Sequence, residues 1–545
     1  MQPTLKSCVE DWKTLPWKQF QKQIFRLQHR IYKAQQIRNY KLVHKLQRLL
    51  FSSRAAKFLA IRQVTQLNTG KATAGIDGKA KLNEKERFEL FNSLKELNKY
   101  EHSPLRRVFI PKSNGEKRPL GIPTIKDRTV QCIAKYLLEP VYEAYASKGS
   151  WGFRPGKSAW DVKMKIFMNL KTHNTNYRKR ILELDIEKCF DKINHKKLLS
   201  LIHLPKQMQN IIRSALKAGV LNERASTQEE TPQGGIISPL LCNIALHGIE
   251  DIWNQPLRYW SKQKKKHITE KSNMIQRGIR YADDMIFFIE EHENANELRY
   301  KIDEFLAERG LNVKEAKTHL VKSTEGFDFL GWRFEVKPNK SLTCWPSRKN
   351  RKQMIDKIKN TMKDNKFTLE QRLNKVKIIY KGWRNYHKYC DISKINLWSI
   401  SEWTYNYVKK LNSKLNRKER TNAKIKRIKT IHKIFNNNEN SLFRYAAVKS
   451  EKSPFDNDWL YWSKRKHKQY WGQLAKILTL QKFKCNDCNL KFAVDDQVEL
   501  HHTDGNHKKN KYKNLKALHR SCHHYMPIHG MKRRKVKDLV NLKAV

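Results

Sequence analysis

No stretch of this 545-residue sequence approaches the roughly 18 consecutive apolar residues of a membrane-spanning helix, and the N-terminus lacks a charged, hydrophobic, small-residue signal segment. Neither membrane insertion nor secretion is expected. Acidic residues are scarce too: 52 Asp and Glu stand against 112 Lys and Arg, a net charge of +60. With 39% of residues hydrophobic the chain still folds, so its partner is a polyanion, and nucleic acid fits better than a membrane surface. A disulfide framework is missing as well. Of nine cysteines, Cys8, Cys132, Cys189, Cys242, Cys344 and Cys390 are scattered, whereas Cys485, Cys488 and Cys522 cluster. That pattern points to a reducing, intracellular setting, bacterial cytoplasm or an organelle, and to one cysteine-based metal site.

The length implies three or more domains, because single cores rarely exceed about 250 to 300 residues. From Trp17 the apolar residues Phe20, Ile24, Leu27 and Ile31 recur at helical spacing, and Tyr40, Val43, Leu46 and Leu50 resume it after Asn39. Ser52 and Ser53 can cap a third helix through Leu59 and Val64. A Gly-rich loop, Asn68 to Gly78, follows. Arg106 to Gln131 reads as two strands around Ser113-Asn114-Gly115, with Lys112, Lys117 and Arg118 flanking the turn. Such a cationic finger suits triphosphate binding or is an ordinary basic hairpin. Gly152-Phe153-Arg154-Pro155-Gly156 is a basic loop that could track a phosphate backbone.

The carboxylates carry the argument for chemistry. Asp185 interrupts the hydrophobic strand Ile181-Leu182-Glu183-Leu184-Asp185-Ile186. Asp is depleted from strands, and an ionised carboxylate is costly to bury unless paired or metal-bound, which favours a metal ligand. Tyr281-Ala282-Asp283-Asp284 sits between a β-prone approach and the apolar Met285 to Ile289, the pattern of a hairpin with carboxylates at its bend. Taken alone that bend is an ordinary Asp-rich turn. Thr231 to Asn243 adds a Pro-Gln-Gly-Gly bend in which glycine lets the backbone approach a substrate.

In order, the finger, G-F-R-P-G, L-D-I-x-x-C-F-D, P-Q-G-G-I-I-S-P and Y-A-D-D resemble the consecutive motifs of a reverse transcriptase, most of all those of group II intron-encoded proteins. Gly310 to Thr318 and Phe327 to Trp332 are similar to the last two motifs of that palm, so the resemblance spans about residues 50 to 340. It implies that Asp185 and Asp283 bridge two Mg²⁺ ions, that Asp284 supports them, and that Lys112 and Arg118 hold a deoxynucleoside triphosphate. Phe190 would exclude a 2′-hydroxyl, Gln233 would pack near the nascent pair, and Tyr281 would lie beside the primer terminus.

From Pro346 onward the texture is basic helix, with Met354, Ile355 and Ile358, then Leu369, Leu373, Val376, Ile379 and Tyr380, at helical spacing. This resembles the thumb and maturase region, with Trp383 and Tyr386 as candidates for stacking on nucleic acid. Basic residues interleaved with aromatics between Trp459 and Trp471 fit a DNA-contacting surface. In the tail, Cys485, Cys488, His519 and Cys522 form two x-x-spaced pairs, a tetrahedral Zn²⁺ set that a binding-only zinc knuckle would also show. The sequences V-E-L-H-H-T-D-G and K-N-L-K-A-L-H-R-S-C-H resemble the HNH endonuclease signature. By that match His502 is the general base, Asn514 orients it, and His501 and His523 hold a catalytic divalent ion, while His524 stands where many relatives have Asp.

The fold class implied is α+β and multidomain. It combines a right-hand polymerase with an antiparallel palm sheet, an α-helical thumb, and a small zinc-containing ββα-metal HNH domain. The corresponding divisions are 1–180 for the N-terminal extension and fingers, 181–340 for the palm, 341–410 for the thumb and maturase region, 411–478 for DNA binding, and 479–545 for the nuclease. The expected partners are group II intron RNA, target DNA and deoxynucleoside triphosphates. A stand-alone reverse transcriptase of retron or defence type, or a splicing factor without mobility, are the alternatives.

Overall fold

The computed structural model describes residues 12, 15–95, 97, 100–111, 117–170, 179–218, 235–261, 266–392, 398–411, 421, 429–435, 445–462, 465, 472–487, 489, 491–492, 496–506 and 509–525. Among them, no helix is long and apolar enough to cross a membrane. Two compact units are each assembled from separate stretches: Met1–Tyr145, Leu198–Ile244 and Lys452–Val545 in the first, Ala146–Lys197 and Ala245–Glu451 in the second.

The N-terminal rhythm becomes α1 (Trp17–Gln36) and α2 (Tyr40–Ser52). They bury Phe20, Ile24 and Ile31, and Val43, Leu46 and Leu50, as the apolar period requires. Asn39 caps α2 by accepting the Leu42 N–H at 3.0 Å. α3 (Arg54–Arg62) starts after Ser53, whose side chain makes no capping bond, and α4 (Glu84–Ser93) opens with a capping box between Asn83 and Glu86. Phe58 of α3 stacks on Phe20 and on Phe91, at 5.6 and 4.1 Å between ring centroids, which binds α1, α3 and α4 together. The expected finger is β1 (Arg106–Pro111) paired antiparallel with β2 (Lys117–Ile122). Behind it runs α5 (Ile125–Tyr145), the long buried helix on which α1 packs.

Next in the chain come α6 (Ala159–Leu170), β3 (Arg180–Leu184), the single turn α7 (Cys189–Lys192), α8 (His195–Leu201), α9 (Lys206–Lys217) and α10 (Ser238–Ala245). β4 (Gln255–Ser261) and β5 (Lys266–Ile275) form a hairpin for which the sequence reading has no counterpart. β6 (Gly278–Tyr281), β7 (Asp284–Ile289) and, after α11 (Ala295–Ala307), β8 (His319–Lys322) join β3 in a sheet of order β6-β7-β3-β8, antiparallel throughout. β9 (Phe327–Phe329), β10 (Trp332–Val336) and β11 (Leu342–Pro346) make a three-stranded sheet. Ile181, Ile279, Ile286 and Phe288 of the larger sheet share a core with Val162 and Ile166 of α6 and with Phe327 and Phe334.

α12 (Arg348–Lys363), α13 (Leu369–Tyr386) and α14 (Trp398–Leu411) pack around Met354, Ile358, Leu373, Val376, Tyr380 and Val408. Trp383 and Tyr386 are half-buried, and both are engaged within the protein. The Trp383 indole donates to Asn350 Oδ1 at 2.7 Å, and Tyr386 donates to Leu330 O at 2.8 Å while stacking on Trp332 at 4.7 Å. The Trp383 bond fastens α13 to α12, and the Tyr386 contacts fasten it to the β9–β10 turn.

The aromatics expected at a DNA surface are also used internally. Trp462 is buried and donates to Ser453 O at 3.2 Å, and Trp459 lies 4.6 Å from Phe25 of α1. Most of the basic run from Arg417 to Lys429 lies outside the described residues. The tail consists of α15 (Gly472–Leu480), β12 (Val498–His502), β13 (Leu515–His519) and α16 (Arg520–Tyr525), with the two strands antiparallel and Ile477, Leu478, Leu515, Ala517 and Leu518 in their core.

Candidate active sites

Asp185 extends the end of β3, where its carbonyl accepts the Lys314 N–H at 2.8 Å and Ile186 bridges Val313. Ala282 and Asp283 form the two-residue turn between β6 and β7, with Tyr281 opposite Asp284. Leu184 lies opposite Met285, so the register brings Asp185 level with Asp284 and all three carboxylates to one end of the sheet. Partial desolvation, then the like charges of Asp283 and Asp185, push the Asp284 carboxyl up to about 6, against the pull of Lys317 and Lys349. One side of Asp284 is open to solvent, which screens part of that repulsion. Lys317 forms an ion pair with Asp185, and its ammonium is held above the usual lysine range chiefly by that bond. Crowded hard oxygen donors, two of whose charges raise the pKa of Asp284, suit divalent cations such as Mg²⁺, so the residues fit the ions that the resemblance implies.

The turn rests on a buried ion pair. Arg280 and Glu250 are 1% and 0% exposed, and Nε and Nη2 of Arg280 reach Glu250 Oε1 at 3.0 and 2.8 Å. Nη1 donates to Ala282 O at 3.1 Å, and Nη2 also donates to Ser150 Oγ at 2.9 Å. Ala282 has a φ of 63°, a left-handed conformation that a Cβ disfavours and that these contacts sustain. Gly152 makes the closest approach, since a Cβ there would lie 2.2 Å from the Ala282 nitrogen. The G-F-R-P-G loop is thus a backrest for the carboxylate turn. Its Arg154 does not face a phosphate backbone: it is buried, and Nη1 donates to Ser147 O and Ser150 O at 2.9 and 2.7 Å.

Phe190 is buried on α7, five residues beyond Asp185. Tyr281 is partly buried against the core, and burial and the charge of Asp161 raise its hydroxyl pKa. Lys112 and Gln233 lie outside the described residues, and Arg118 is described only through its backbone pairing with Ile110.

Three residues of Lys126-Asp127-Arg128-Thr129-Val130-Gln131 hold loops, a role the sequence reading missed. Asp127 accepts Tyr100 Oη at 2.6 Å and Thr124 Oγ1 at 2.5 Å. Arg128 donates to Gly70 O and Thr73 O at 2.9 and 2.7 Å, and Gln131 accepts the Ile236 N–H at 2.9 Å. Three polar side chains within five residues of the first turns of an otherwise apolar helix were the available signal.

In the tail, His501 and His502 end β12, Lys516 and Leu515 face them on β13, and α16 brings His523 to 5.2 Å from the His501 ring. Nδ1 of His523 is bonded to Glu499 Oε2 at 2.7 Å. The partner of His502 is not Asn514. Nε2 of His502 lies 3.1 Å from Asn510 Oδ1, whereas Asn514 accepts from Thr503 Oγ1 at 2.8 Å and donates to Asp504 Oδ1 at 2.8 Å. Asn514 therefore fixes the turn that follows His502. Cys485, His519 and Cys522 are buried with ligand atoms within 4.8 Å of one another, soft and borderline donors that fit Zn²⁺. Cys488 lies outside the described residues.

Comparison with known proteins matches the polymerase and maturase parts of the chain. The family described as reverse transcriptase (RNA-dependent DNA polymerase) matches residues 110–334, the N-terminal domain of reverse transcriptase matches 12–94, and the group II intron maturase-specific domain matches 351–430. Maturase-like protein 1 of Euglena gracilis is 30% identical over 71% of this chain and 80% of its own length. Protein YkfC of Escherichia coli is 31% identical over 53% of this chain and 83% of its own. Group II intron-encoded protein LtrA of Lactococcus lactis is 28% identical over 56% and 61%. With polymerase and maturase-specific domains matched side by side, this chain belongs with the maturase-like reverse transcriptases: it is a reverse transcriptase joined to a group II intron maturase domain, homologous to group II intron-encoded proteins.

Proposed function

We propose that the protein copies intron RNA into DNA from a primer that its own tail makes, and that it also assists splicing of that intron. The observation that supports this reading is the pairing, in one chain, of the Asp185, Asp283 and Asp284 cluster with a ββ-helix tail that carries His501, His502 and His523. Mg²⁺ at the carboxylates would supply activation of a primer 3′-hydroxyl and stabilisation of the leaving pyrophosphate. Asp185, Asp283 and Asp284 hold that charge, Phe190 selects deoxynucleotides by excluding a 2′-hydroxyl, and Tyr281 borders the primer terminus. α12, α13 and α14 act as the thumb.

The tail serves as an HNH nuclease. His502 takes a proton from water as general base, its ring held by the contact of Nε2 with Asn510 Oδ1 at 3.1 Å. His501 and His523 hold a divalent ion, and Cys485, Cys488, His519 and Cys522 hold Zn²⁺ that fixes the start of α16. Target DNA is the nuclease substrate, and the protein works inside a cell or an organelle.

The test uses intron ribonucleoprotein and duplex DNA that carries the intron insertion site. His502→Ala should abolish nicking while extension from a pre-nicked duplex continues. Asp283→Ala with Asp284→Ala should abolish extension while nicking and splicing persist. Nicking by the His502 variant, or extension by the double variant, would overturn the assignment of the corresponding site.

A further inference from the structure

We infer that Asp496 is the positioning residue of the tail's metal site, holding His519 so that Nδ1 is the ligand atom; this rests on the zinc reading above. Asp496 Oδ2 lies 3.1 Å from His519 Nε2, and on the other side of the ring Nδ1 lies 3.8 Å from Cys522 Sγ. The two nitrogens therefore face different chemistry. An ionised carboxylate only accepts, so Nε2 carries the proton, and the lone pair of the neutral imidazole is on Nδ1, facing the sulfur atoms.

The strand register explains how the carboxylate arrives. His519 is opposite Val498, and Asp496 precedes Val498 by two residues, which brings it diagonally across to the same imidazole. One further contact restricts the ring: Phe492 meets it edge-on at 4.5 Å between centroids. The backbone N–H of His519 donates to Cys485 Sγ at 3.4 Å, which ties the start of α16 to that ligand. His519 is 8% exposed, so little water competes for either nitrogen.

The experiment measures zinc affinity of the full-length protein by competition with a chromophoric chelator, with Co²⁺ substitution to read the ligand set by absorption. Asp496→Ala should weaken zinc binding by about 10- to 100-fold, as loss of such a partner does elsewhere. Asp496→Asn retains an oxygen that accepts the Nε2–H and should recover part of that loss, with an unchanged Co²⁺ spectrum. Asp496→Ala binding zinc as tightly as the parent would overturn the inference, as would Asp496→Asn binding no better than Asp496→Ala. If Asp496→Ala does not fold, Asp496→Asn decides alone: weaker binding than the parent supports the inference, and equal binding overturns it. Cys522→Ala is the control for the zinc reading itself. Should the parent bind zinc no better than Cys522→Ala, that reading fails, and Asp496 loses its role with it.

Discussion

Asp284 carries a penalty in the metal-free protein. Its carboxyl ordinarily titrates at 3.8, but burial and the neighbouring aspartates push it up to about 6 in the folded state. Between those values the folded state binds more protons than the unfolded one, so stability falls as pH rises through that window and the loss is complete above it. Asp284→Asn should therefore raise the thermal midpoint at pH 7 in EDTA, and the difference should vanish below about pH 4. Matched thermal scans check this; equal midpoints at pH 7 would show that the carboxylates are not crowded. The convergence of Asp185 with Asp283 and Asp284 was legible because Asp in an apolar strand is anomalous and that anomaly needed partners. Lys317 was not legible as a counter-ion, since one lysine among 112 basic residues gives no sign of its target. Asn510 and Asn514 show the same limit: a motif supplies positions, whereas the folding of the Thr503–Asp504 turn decides which amide meets the imidazole.

The β6–β7 hairpin depends on the pair beneath it. Arg280→Met would leave the Glu250 carboxylate buried without a counter-ion, its Oε2 still accepting the Gly248 N–H, at a cost of about 3 to 5 kcal/mol, and should lower the urea midpoint accordingly. Adding Glu250→Gln should recover part of the loss, and no recovery would mean that Arg280 acts through its other bonds. Elements with a strong apolar period, such as α1, α2 and α13, were readable, because burial alone selects the face. β4 and β5 were not, since Lys264-Lys265-Lys266 and the polar residues around them have no apolar alternation to mark a strand. The roles of Arg154, Trp383, Tyr386 and Trp462 were misread for a common reason. Arg and aromatic side chains suit nucleic acid and internal packing equally well, and only the fold decides between those uses.

At the scale of the whole molecule the net charge of +60 dominates association. Intron RNA binding should fall steeply with salt, by about 10³-fold or more between about 50 and 200 mM if six or more phosphates are neutralised. A filter-binding titration at several salt concentrations measures the slope, and a flat response would remove the electrostatic argument. The first unit joins two stretches far apart in sequence: Phe25 packs on Trp459, and His29 Nδ1 is bonded to Phe455 O at 2.7 Å. A truncation after Glu451 should therefore destabilise the N-terminal helices as well as remove the tail, measurable as faster proteolysis around α1. The same feature governs synthesis. A ribosome delivers residues 1–145 before 146–451, and those before 452–545, so the first unit cannot be completed until the second has been made. During translation the face of α1 that carries Phe25 and His29 waits for Phe455 and Trp459, exposed to whatever chaperone or nascent intron RNA is at hand.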